Sequence, residues 1–160
     1  MQTLSINKEV TQALREVLVS DATLTAWIPV QQIWCGNDLE VTEWPAIAFR
    51  ILKENPETRL SGPGLWRPLV RLSVTGYEVQ KGGIPSVDVI AARVHSLLRL
   101  GCKGAITSTV DTTNFRISES NLEDSAFLGN ALRLEAKGDK AVTYSHLWRF
   151  RVTQRTQGNG

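Results

Sequence analysis

Val142-Thr143-Tyr144-Ser145-His146-Leu147-Trp148-Arg149-Phe150-Arg151-Val152-Thr153 is the stretch on which the fold turns. Val142, Tyr144, Trp148, Phe150 and Val152 share one face with His146, while Thr143, Ser145, Arg149, Arg151 and Thr153 share the other. A sustained period of two predicts a long strand with one face laid on a core.

The same alternation recurs upstream. Val70, Leu72 and Val74 alternate with Arg71, Ser73 and Thr75, and after Pro45 the residues Ile47, Phe49 and Ile51 alternate with Ala46, Ala48 and Arg50. Both patterns predict half-buried strands. A short strand is expected from Ile33 to Cys35, with turn chemistry at Gly36-Asn37-Asp38. Two more are expected where Phe115 and Ile117 alternate with polar neighbours and where Leu132 and Leu134 do.

Two segments carry the helical period instead. Ile6, Val10, Ala13, Leu14, Val17 and Leu18 form one apolar stripe, and Val87, Ile90, Ala91, Val94, Leu97 and Leu98 form a second. Ser86 and Gly101 suit the two ends of that second helix. Ser20 or Asp21 suits the N-cap of a short turn that runs to Trp27 and stops at Pro29.

Runs of strands interrupted by isolated helices predict an α+β sandwich. The expected fold is a largely antiparallel sheet of about five or six strands with two main helices on one face. Residues 53–68, rich in Pro and Gly, form a long hairpin arm if their flanking strands are neighbours; most hairpin loops are far shorter. Residues 1–153 read as one domain and residues 154–160 as a flexible polar tail.

Composition narrows function by exclusion. Hydrophobic residues make up 42% and charged residues 21%, with 18 Lys and Arg against 16 Asp and Glu. A net charge of +2 is too small to argue for nucleic-acid or membrane binding by bulk electrostatics. Cys35 and Cys102 read as reduced thiols. The N-terminal residues lack the pattern of a signal peptide, and no apolar run has the length of a bilayer span, so a soluble product made inside the cell is expected.

No phosphate loop, nucleophile elbow or complete dinucleotide fingerprint is present, and no His–Cys set has zinc spacing. No enzyme activity, metal or cofactor is therefore expected. Gly62-Pro63-Gly64 reads as loop punctuation. His146, on an apolar strand face, reads as a hydrogen-bonded core histidine, and His95 as a solvated residue on the polar side of its helix. Carboxylates gather at Asp38, Glu40 and Glu43, and again at Glu119, Glu123 and Asp124. They read as solvated loops, or as an acidic wall that keeps DNA off a channel. Arg149, Arg151 and Arg155 form a cationic stripe, either a charge-protected strand face or an interface with an acidic neighbour. Of five tryptophans, Trp27, Trp34, Trp44 and Trp66 fall at element ends or loops, where they hint at subunit contacts or cover the sheet's rim.

The ordered features resemble the tail-terminator and tail-completion proteins of long-tailed phages. Val10 to Arg15 followed by Asp21-Ala22-Thr23-Leu24-Thr25 is similar to the family's opening helix and D-A-x-L-T turn. Ile33-Trp34-Cys35-Gly36 is similar to its I-Y-x-G strand, Trp44-Pro45-Ala46-Ile47-Ala48-Phe49 to its P-Y-V-V strand, and Val70 to Tyr77 to its L-x-V-x-V-x strand. The second helix and Trp148 to Val152 complete the order. Residues 53–68 and 120–130 are longer than the family pattern.

The resemblance implies a homohexameric ring that caps the tail tube, stops its polymerisation and joins it to a head-completion or connector protein. It places the protein in the virion, at the tail or neck, assembled in the host cytoplasm, with DNA passing through the lumen unbound. Projecting arms can close such a heterologous ring. The arm would contribute Arg59, Leu60, Leu65 and Trp66, and the stripe Arg149, Arg151 and Arg155. Asp38, Glu40, Glu43, Glu123 and Asp124 would face the lumen. Two alternatives stand beside it: another neck, head-closure or baseplate protein, and a small ligand-binding domain or enzyme with a pocket near His146.

Overall fold

The computed structural model describes residues 6–36, 43–53, 56–57, 65–101, 106–110, 113–127 and 141–155. Among these residues three α-helices, α1 (Ile6–Val19), α2 (Ala22–Trp27) and α3 (Val87–Gly101), accompany eight strands. These are β1 (Ile33–Cys35), β2 (Ala46–Lys53), β3 (Pro56–Glu57), β4 (Leu65–Trp66), β5 (Leu69–Tyr77), β6 (Ile106–Val110), β7 (Thr113–Phe127) and β8 (Ala141–Arg155). The class is α+β, as the periodicity predicts, and six of the strands are three residues or longer.

β8 organises the sheet. At about 3.3 Å per residue it extends roughly 50 Å, long enough to pair on one side with β5 and then β4, and on the other with β7. β2 continues the sheet beyond β5, β6 continues it beyond β7, and among the described strands only β1 against β2 is parallel. β8 is therefore a central strand, so its arginines guard no edge. Its pairing also runs to Gln154 opposite Phe115 and Arg155 opposite Asn114. The expected tail thus gives up its first two residues to the sheet; residues 156–160 lie outside the described residues.

The stripes named from the sequence meet on one face of this sheet. Val10, Leu14 and Leu18 of α1, Ile90, Val94 and Leu98 of α3, and Phe49, Leu72, Trp148 and Phe150 of the strands belong to one buried cluster. α1 and α3 contact each other as well as the strands. Gly76 passes under α3: a Cβ there would lie 3.5 Å from the Val87 Cβ.

Polar contacts fix the helix ends. Asp21 caps α2 by accepting from the Leu24 N–H at 2.9 Å, and its carboxylate also receives Nε and Nη2 of Arg93 on α3. Arg15, on the outer side of the α1 stripe, donates to the carbonyls of Ile33 and Val30, at 3.1 and 3.3 Å. Those carbonyls belong to the first residue of β1 and to the single turn that leads into it.

The second face of the sheet departs from the half-buried expectation. Ala46, Thr75 and Thr143 form one cross-strand row, Ala48, Ser73 and Ser145 the next, and every one of the six is buried. Small side chains at the middle of a broad sheet sink below larger neighbours. Three of the four hydroxyls find partners there: Thr75 and Thr143 share a 3.0 Å bond, and Arg71 Nε donates to Ser145 Oγ. Alternation alone reports side-chain polarity, and these small groups are polar without being exposed.

Candidate functional site

β2 and β5 are neighbours, as a hairpin arm over residues 53–68 requires, and β3 pairs with β4 between them in the chain. Its base stays in the sheet, because Leu65 and Trp66 of β4 lie opposite Thr153 and Val152 of β8. Trp66 is half-buried against the chain's own core. Arg59, Leu60 and Gly62-Pro63-Gly64 lie outside the described residues.

The other residues singled out from the sequence scatter. Glu123 and Asp124 are not on a loop; they sit in β7, where register shifts between Ile117 and Glu119 and between Leu122 and Asp124 break the period-two signal. Glu119 is in the same strand. Glu123 forms an ion pair with Arg149 at 2.6 Å, and Arg149 also donates to the Arg67 carbonyl. Arg151 is half-buried opposite Glu119, and Arg155 ends β8. Glu43 is exposed ahead of β2; Asp38, Glu40, the Leu132–Leu134 strand and Cys102 lie outside the described residues. Cys35 is an exposed free thiol.

The tryptophans divide. Trp148 is buried at the centre, stacked on Phe150. Trp27 and Trp66 pack against the core, and Trp44 meets Tyr77 edge-on.

What the fold does bring together is a cleft of about 440 Å³ between α3 and the β7–β8 pair. Asp88, Ala92 and His95 reach it from α3 at the spacing of one helical face. Tyr144 and His146 reach it from β8, two residues apart, with Leu122 and Ser125 of β7 at the side. The Tyr144 hydroxyl donates to the Asp88 carboxylate, and this bond is the first cause holding the phenol above its ordinary value. Burial, with His95 nearby as a lesser cause, holds His146 below its ordinary value. An imidazole depressed in this way is neutral at pH 7 and offers one acceptor nitrogen.

Both histidine expectations need correction. His95 is half-buried rather than solvated, its ring 5.3 Å from that of Trp148. His146 is buried as expected, but its Nδ1 has no hydrogen-bond partner among the described residues. Burying an unpaired nitrogen costs stability, so this position is not explained by core packing alone. No group of three or more metal-ligating side chains occurs among the described residues. No described helix is long and apolar enough to cross a membrane.

No protein-family profile matches the chain, and no curated protein matches it in sequence. In fold it is similar to a chain of a solved structure described as the virion of a native gene transfer agent particle, with a TM-score of 0.60 at 12% identity. The match spans 94% of this chain and 99% of that one. At that identity the likeness shows a common fold.

Proposed function

We propose that this chain is a structural protein of a phage-like virion, acting as a tail terminator: a ring subunit that caps the tail tube and joins it to the head-side connector. The observation that carries the reading is the end-to-end fold match to a chain of a virion particle, which leaves almost no part of either chain unmatched. The succession of sequence patterns resembling tail-terminator proteins supports the same role. So does the sheet, whose long β8 and arm base give an extended surface for subunit contacts.

In this reading the chain forms a homohexamer, residues 1–153 act as one unit, and the partners are tail-tube and head-completion proteins. The arm and the Arg149–Arg151–Arg155 stripe contribute to contacts, and acidic side chains line the passage for DNA. The function is mechanical and needs no catalytic group.

The test is genetic and visual. Deleting the gene in the element that encodes it is expected to give filled heads without joined tails, together with tubes of unregulated length; resupplied, labelled protein is expected at the head-proximal tube end. Tails of normal length joined to heads in the deletion would refute the reading. Label at the distal end would favour a baseplate protein.

A further inference from the structure

The cleft between α3 and β7–β8 presents acceptors. Among the described residues its lining includes the Asp88 carboxylate, the Tyr144 and Ser125 hydroxyls and the His146 imidazole, and no Lys or Arg. The Tyr144 hydroxyl donates a hydrogen bond to Asp88, and a hydroxyl that donates can also accept. Ala92 and Leu122 supply apolar wall. A planar cation with several N–H donors and an apolar stem matches such a lining; an anion would meet Asp88 with nothing to offset it.

On the opposite face of the same sheet stands an exposed arginine. Arg50 of β2 is exposed and lies directly across from Arg71 of β5. Like charges facing each other across strands are destabilising. Arg71 is engaged through Nε with Ser145, whereas Arg50 makes no ion pair or hydrogen bond among the described residues. A head-to-tail ring needs complementary features on different surfaces of one subunit. Here the acceptor cleft lies on the helix-bearing face and the Arg50 guanidinium on the other.

We propose that this cleft is a receptor for an arginine side chain, and that the side chain it receives is Arg50 of a second copy of this chain. The second-copy source rests on the ring reading; the acceptor chemistry of the cleft does not.

Two measurements separate these parts. In the first, the wild-type protein is titrated with N-acetyl-L-arginine amide, and with N-acetyl-L-glutamate amide as control, while the ring resonances of His95 and His146 are followed by NMR. The expected result is a saturable shift with the arginine probe alone, weakened at least fivefold by Asp88→Asn. Asp88 is exposed, so this variant is expected to fold. No saturation, equal binding of the glutamate probe or indifference to Asp88→Asn would overturn the cleft assignment.

In the second, self-association is measured by sedimentation. Arg50→Glu and Asp88→Lys are each expected to weaken it at least tenfold, and the double variant to recover most of the loss. A wild-type chain that never associates overturns the second-copy source and counts against the ring in solution, while the arginine titration still decides the cleft. Association that is unchanged in both single variants overturns the source alone.

Discussion

Replacing Asp21 with alanine removes two interactions at once, and asparagine separates them. The carboxylate caps α2 through the Leu24 N–H at 2.9 Å and binds Arg93 on α3 through two nitrogens. It thus ties the α1–α2 corner to the other large helix. Loss of an N-cap costs about 1 kcal/mol, which at this chain length lowers Tm by roughly 2–4 °C. The ion pair adds to this, but its side chains are 12% and 38% exposed, so solvent screens it. Asn caps as well as Asp. Asp21→Ala is therefore expected to lower Tm by at least the cap value, and Asp21→Asn by less than half as much.

The sign of the pH effect follows from the carboxyl group. Arg93 first, and the Leu24 N–H second, hold it below its ordinary 3.8. Its contribution is thus fully present above pH 3.8 and is lost as pH falls through the lower, folded value. Thermal unfolding followed by circular dichroism at pH 7 and pH 3 measures both parts. An Asp21→Asn variant as unstable as Asp21→Ala would refute the separation. So would an Arg93→Ala cost that is unchanged in the Asp21→Asn background.

Three further outcomes are expected. Thr75→Val orphans the buried Thr143 hydroxyl and should cost about 1–3 kcal/mol in a urea titration, while Thr75→Val with Thr143→Val should recover much of it. His146 is held neutral by burial and by His95, in a cleft it shares with Asp88 and Tyr144. The unfolded chain therefore binds a proton that the folded chain resists, and stability should fall as pH drops below about 6.5; His146→Gln should shrink the Tm difference between pH 7.5 and pH 5.5. Glu123→Gln breaks a surface ion pair and should cost about 0.5 kcal/mol or less by the same titration.

The sequence by itself determined the elements that obey one period. The stripes of α1 and α3, the α2 cap, β1, β2, β5 and the C-terminal β8 are all legible, because burial of one face forces a repeat of 3.6 or 2 on the residues that form it. It could not show that β7 runs through Glu119, Glu123 and Asp124, since two bulges shift the register there. It could not show that Ser73, Thr75, Thr143 and Ser145 are buried, since polarity stood in for exposure. The members of the cleft lay in view as Asp88, Ala92 and His95 at helical spacing and Tyr144 and His146 at strand spacing. Only the tertiary structure decided that these two faces meet, because the pairing of α3 with β8 joins residues some fifty positions apart in the chain. The same reason separates Arg50 from Asp88: local alternation gives each strand two faces, and only packing decides which face the helices take.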